Sequence, residues 1–201
     1  MLKVFTEGKD KVFIERFIEI RFEKKNEIDF QVIPTNGWTN LKLAAPKIIE
    51  FTDAHHDICI VFDADFPTNE GGFKKRLDEI NAIRKEQQLN FEVFLFPNNI
   101  DDGDFESILE AIANELRKGV FECFTDYERC VKQKLSEKEM TFHLPARKSR
   151  IFAYAETLPF SSKEWEKFGK RGNFLFENTD YWNINSEALK PLFDFLAPKL
   201  K

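Results

Sequence analysis

Apolar positions along this chain fall into two alternating rhythms. Residues 2–6 form a short apolar run halted by Gly8, the pattern of a buried strand. From residue 10 to about 22, Val12, Phe13, Phe17, Ile18 and Phe22 recur at helical spacing, with Asp10 placed to cap the helix. Residues 28–33 alternate like a strand and end at Pro34, and Asn36-Gly37 marks a turn. Residues 41–51 return to helical spacing. Residues 57–62 are almost continuously apolar, as expected of a strand covered on both faces. An amphipathic helix follows over residues 73–87, then a fourth strand over 91–96 ended by Pro97-Asn98-Asn99, then a helix over 104–117. Strands alternating with helices predict an α/β fold with a parallel sheet. Beyond Gly119 strand signals thin out, and residues 120–135, 149–157 and 186–196 read as helical. The expected organisation is an α/β core over residues 1–118 carrying a mostly helical C-terminal extension, 119–201, packed on it. No repeat or low-complexity linker interrupts the chain.

In an open parallel sheet, ligands bind beyond the carboxyl ends of the strands. Glu7, Gly8 and Asp10 follow the first strand, Asp63 and Asp65 the third, and Asp101, Asp102, Asp104 and Glu106 the fourth. Three strand ends thus deliver carboxylates to one rim. In an extended segment Asp63 and Asp65, two residues apart, point to the same side. Carboxylates so placed must share protons or a cation. Oxygen donors with room for water and phosphate suit Mg²⁺ or Mn²⁺, one ion or two.

Composition adjusts this picture in a few places. The chain of 201 residues is 42% hydrophobic and holds 23 Phe, so the core is expected to be rich in packed phenyl rings. No run approaches the roughly 18 apolar residues of a membrane span, and the start of the sequence has no signal-peptide pattern. Cys59, Cys123 and Cys130 are odd in number and lack CxxC spacing, which points to a reducing, cytoplasmic setting. They form no zinc pattern with His55, His56 or His143. The net charge of −5 does not advertise nucleic-acid binding. Between His143 and Leu175, however, Arg147, Lys148, Arg150, Lys163, Lys167, Lys170 and Arg171 outnumber Glu156, Glu164 and Glu166. That segment reads either as a local basic surface or as a solvated helix face.

Two short motifs resemble a known family. Val4-Phe5-Thr6-Glu7-Gly8-Lys9-Asp10 resembles the glutamate motif of Toprim domains, a hydrophobic strand followed by EGxxD. Ile60-Val61-Phe62-Asp63-Ala64-Asp65 resembles their DxD motif, and the two stand in the family's order. The resemblance covers about residues 1–115 and implies a four-stranded parallel sheet flanked by helices. It further implies Mg²⁺-dependent phosphodiester chemistry on DNA or RNA. Pro67 stands where topoisomerase- and primase-like members carry a third acid. The acid-rich stretch after Phe96-Pro97 is more similar to the OLD-family nucleases. On that resemblance Glu106 matches a further metal-binding glutamate and Lys148 a basic residue that steadies transition-state charge. Asp63, Asp65, Glu106 and Asp10 are then the metal ligands, and Glu7 the general acid–base or a bridging ligand. No GxxxxGK[ST] phosphate loop is present, so an ATPase would have to be a separate partner.

Plainer readings stand beside these. Glu7 is also an ordinary strand-end residue within reach of Lys9 or Lys11, and Asp10 is a helix cap, a ligand or both. Asp63 and Asp65 are also turn residues before Pro67, Asp101, Asp102 and Asp104 loop and cap residues, and Gly8 a turn glycine needing positive φ. Two other functional classes remain open. One is a binding or conditionally active module in a defence or repair system. The other is a haloacid-dehalogenase-like phosphatase built on Asp63-Ala64-Asp65.

Overall fold

The computed structural model describes residues 1–135, 143–168 and 173–200. Its centre is a four-stranded, all-parallel sheet of β1 (Leu2–Thr6), β2 (Phe30–Pro34), β3 (Asp57–Asp63) and β4 (Glu92–Phe96), in the order β2-β1-β3-β4. The helices are α1 (Lys11–Phe22), α2 (Leu41–Asp53), α3 (Phe73–Glu86), α4 (Phe105–Ile112), α5 (Gly119–Leu135), α6 (Ser149–Glu156), α7 (Ser162–Lys167) and α8 (Lys190–Leu196). This is an α/β fold with a helical C-terminal region.

Strand composition explains strand position. The inner strands β1 and β3 are buried along nearly their whole length, whereas the edge strand β2 buries only Phe30 and Val32. Side chains alternate between two cores, as the period of two demands. Leu2, Val4, Cys59, Val61, Phe94 and Phe96 face one side, where they pack with α1, α4 and the C-terminal region. Phe5, Ile58, Ile60, Phe62 and Leu95 face the other, against α2 and α3.

The C-terminal region belongs to the first of these cores. Trp182, fully buried, donates from its indole N–H to the Phe174 carbonyl at 2.6 Å and packs on Tyr154, Phe174 and Phe176. Phe176 in turn stacks edge-on against Phe13 of α1, with ring centroids 5.1 Å apart. The expected abundance of packed phenyl rings is thus concentrated on one face of the sheet.

Some boundaries differ from the sequence reading for identifiable reasons. The helix expected over residues 104–117 stops at Ile112, because Ala113 turns extended to bridge Trp182. Asn114 then caps a separate 3₁₀ turn, Glu115–Arg117, through a side-chain bond to the Leu116 N–H. The closing helix expected over residues 186–196 is split into a 3₁₀ turn, Glu187–Leu189, and α8. Helix α7 was not anticipated, although Ser161 and Glu164 form a reciprocal capping box whose spacing is visible in the sequence. Among the described residues no helix is long and apolar enough to cross a membrane.

Candidate acidic site at the sheet switch point

The chain leaves β1 toward β2 and then crosses back to place β3 on the other side of β1. The crevice where strand order reverses therefore lies between the carboxyl ends of β1 and β3, the usual ligand position in such sheets. Thr6 is in register with Val61, so Glu7 and Asp63 emerge side by side from strands far apart in sequence. Glu7 Oε1 accepts the Asp63 backbone N–H at 3.2 Å. Asp63 continues the parity of Cys59 and Val61 and points to the α1/α4 side. Its Oδ1 accepts the Phe105 N–H at 2.8 Å, at the first turn of α4. That position suits a carboxylate, because the first N–H groups of a helix have no partner within it.

Asp10 lies at the start of α1, but its side chain does not cap that helix. It turns back instead and accepts the Gly8 N–H at 2.8 Å. Gly8 sits at φ 142°, a conformation that side-chain-bearing residues rarely adopt. The second Asp10 oxygen and the Thr6 hydroxyl are both buried, and among the described residues neither has a hydrogen-bond partner. Glu106, in the first turn of α4, completes the group. Glu7, Asp10, Asp63 and Glu106 line one cleft of about 290 Å³ together with Lys9 and Phe105.

Crowding four carboxyls away from water raises their affinity for protons. Burial pushes Glu7 up to about 7, helped by Asp10 and Asp65 and opposed by the Asp63 N–H and Arg76. Burial likewise raises Asp10 to about 6, against the opposing Gly8 N–H. Asp63 stands well above the usual carboxylate range, first through burial and then through the neighbouring Glu7, Asp10 and Glu106. Glu106 is also raised, by burial and by Asp104, while Arg147 and Lys9 draw it down. Such a group needs positive charge from protons or a cation. Its all-oxygen donors and the unpartnered Asp10 oxygen fit a hard divalent ion in kind. Among the described residues, however, no three acidic, His or Cys side chains already stand as a metal-holding group.

Asp65 departs from the expected geometry. The extended segment ends at Ala64, and Asp65 adopts φ 59°, which turns its carboxylate away from the Asp63 cleft. It pairs with Arg76 of α3 at 2.8 Å, and Arg76 also holds Glu79 at 2.8 Å and lies 3.9 Å over the Trp38 ring. Gly71 permits this turn, since a Cβ there would stand 2.3 Å from the Asp65 Cβ. The expectation that Asp63 and Asp65 face one point in space is therefore not met.

The other acids after β4 have structural partners. Asp104 caps α4 through a capping box with Ser107, Asp102 accepts the Phe73 N–H at the start of α3, and Asp101 accepts from Asn98. Three adjacent basic residues separate as cleanly. Arg147 pairs with Asp104 and Glu110, and Arg150 with Glu110 and Glu128. Lys148 alone of the three turns toward the rim, where it lines a second cavity with Glu7, Lys9 and Glu106. Lys170 and Arg171 lie outside the described residues.

No protein-family profile, curated protein or solved structure matches the chain.

Three participants escaped the sequence reading. Phe105 acts through its backbone N–H, which no side-chain pattern reveals. Arg76 is one of several basic residues in α3 and carries no local mark of its partner. Lys9, by sequence a neutraliser of Glu7, also faces the cleft beside Lys148. Partial burial and the Lys148 ammonium hold Lys9 below its usual value.

Proposed function

We propose that this chain is a metal-dependent phosphodiester hydrolase acting on nucleic acid, in the manner of the Toprim nucleases its motifs resemble. The observation that carries the reading is the gathering of Glu7, Asp10, Asp63 and Glu106 in one cleft at the switch point, with two lysines at its lip. Asp10, Asp63 and Glu106 are the residues to hold Mg²⁺ or Mn²⁺, joined by Asp65 once it leaves Arg76. The ion would polarise the scissile phosphate and acidify an attacking water.

The chain's own groups account for the rest. Glu7, with a proton affinity near neutrality, is suited to take a proton from water and return it to the leaving oxygen. One of its oxygens is tied to the Asp63 N–H, which fixes the carboxyl at the lining of the cleft. Lys9 and Lys148 would meet the charge growing on the phosphate oxygens. The Phe105 N–H steadies Asp63 from behind.

A second reading rests on Arg76. With Asp65 engaged by a buried guanidinium, the chain would be a binding module that acts only when a partner, such as a separate ATPase or defence component, draws Asp65 back.

Incubating the protein with plasmid DNA and RNA in Mg²⁺ or Mn²⁺, beside Glu7→Gln and Asp63→Asn, tests the proposal. Cleavage by the parent and its loss by about 10²-fold or more in both variants is expected, the scale of removing a general acid–base. Equal activity in parent and variants overturns it. Nucleic-acid binding without turnover favours the module. Phosphate release from a simple ester that needs Asp63 but not Glu7 points to the dehalogenase-like phosphatase instead.

A further inference from the structure

A cavity of about 640 Å³ opens beside the acidic cleft and shares Glu7, Lys9, Phe105 and Glu106 with it. Its volume falls in the range of small-ligand sites, about 300–1,000 Å³. Its floor is apolar. Leu109 of α4 and Ile151 of α6 are buried beneath it, while Phe152 of α6 keeps 38% of its surface exposed. The Phe152 ring lies 5.7 Å from that of Phe174, tilted by 58°, so two aromatic groups form one wall.

The rim has the opposite character. Lys9 and Lys148 stand near enough for each ammonium to act on the other, and among the described residues neither makes a salt bridge. Lys11, also at this rim, is drawn off by Glu15 at 3.6 Å. Two adjoining cations that no salt bridge among the described residues engages, over an aromatic wall, complement a ligand with a phosphate at one end and a flat π-surface at the other. A nucleotide is such a ligand. In a duplex the faces of the bases are stacked on one another, and a protein reaches only edges and backbone. An aromatic wall meets a base face only where the base is unpaired.

We infer that this groove holds an unpaired base next to the phosphate at the acidic cleft, so that the chain's substrate is single-stranded nucleic acid. The inference rests on the phosphodiester reading of the cleft and adds what that reading lacks, the form of the strand. Phe152 is the stacking platform, Phe174 and Leu109 bound the pocket, and Lys9 and Lys148 hold the adjoining phosphate. The C-terminal region thereby acquires a role in recognition beyond covering the sheet.

Fluorescence anisotropy with a labelled ten-nucleotide single strand, as DNA and as RNA, measures binding in EDTA, where no cleavage is required. The single strand of at least one sugar type is expected to bind at least tenfold more tightly than the matching duplex. Phe152→Ala is expected to weaken it roughly tenfold, the scale of one lost base–aromatic stack, with Phe152→Trp retaining it. Lys148→Ala should lower the salt dependence of binding by about one unit of log–log slope. Tyr127→Ala, on the exposed side of α5, should bind as the parent does. Equal affinity for duplex, or unchanged binding in Phe152→Ala, overturns the inference. A protein that passes these tests yet cleaves nothing in Mg²⁺ or Mn²⁺ overturns the hydrolytic reading alone.

Discussion

The two faces of the sheet are built from different material. Against α2 and α3 the core is mainly aliphatic, with Leu41, Ile48, Ile60, Ile80 and Leu95 around Phe5 and Phe62. Against α1 and α4 it is richer in aromatic side chains and far larger, and it continues through Phe121, Tyr154, Phe174, Phe176 and Trp182 into the C-terminal region. A pair of helices is enough to seal the first face. The second stays open at its carboxyl end until α6 and the segment around Trp182 are laid over it. Those same elements bring Lys148 and Phe152 to the acidic edge, so the cover of the aromatic face is also part of the candidate site.

If the aromatic face depends on this cover, Trp182→Ala should be the most damaging single change. Loss of a fully buried indole, its hydrogen bond and three ring contacts is expected to cost about 3–5 kcal/mol, read by urea denaturation. The transition should remain single, because the sheet and the C-terminal region share one core. Two separated transitions would show that the faces melt independently.

On the other face the vulnerable point is electrostatic. Arg76 is almost fully buried and carries both Asp65 and Glu79, each about a third exposed. Arg76→Met keeps the stem over Trp38 but strands two carboxylates. The expected cost is about 2–3 kcal/mol, below the full penalty of a broken buried pair because the acids retain some water. A cost below about 1 kcal/mol, the scale of an exposed ion pair, would show that the pair is in effect solvated.

The smallest effect sharpens the contrast through pH. Glu7 and Asp10 keep protons in the folded chain at pH values where the unfolded chain has lost them, 4.5 against about 7 and 3.8 against about 6. Their stabilisation is complete below about pH 4 and is lost as pH rises through 6 and 7. The parent should therefore weaken between pH 4.5 and 7. Glu7→Gln should flatten that fall and exceed the parent at pH 8 by on the order of 2 kcal/mol. Identical pH profiles for the two proteins would remove Glu7 from the buried cluster.

Much of the core was legible because it depends on local pattern. The continuous apolar run of β3 announced a strand covered on both faces, and the alternation before Pro34 announced β2 as a strand. The rim of acids could be named once the strand ends were known. The order of strands could not, and with it went the closeness of Glu7 to Asp63, which depends on β1 lying beside β3. Asp65 shows the limit differently: the i, i+2 argument holds for extended backbone, and a single left-handed residue sends the carboxylate to another helix. In the C-terminal region, helices were visible but their breaks were not, because Ala113 ends α4 by pairing with Trp182, far along the chain.

The register that sets Glu7 beside Asp63 also fixes a chronology. The acids and Lys9 all precede α5, whereas Lys148 and the aromatic wall follow it, so a growing chain completes its acidic edge before most of the surface that would present a substrate to it. During synthesis the emerging protein passes through an interval in which the carboxyl residues and Lys9 have been made and Lys148, Phe152 and Phe174 have not.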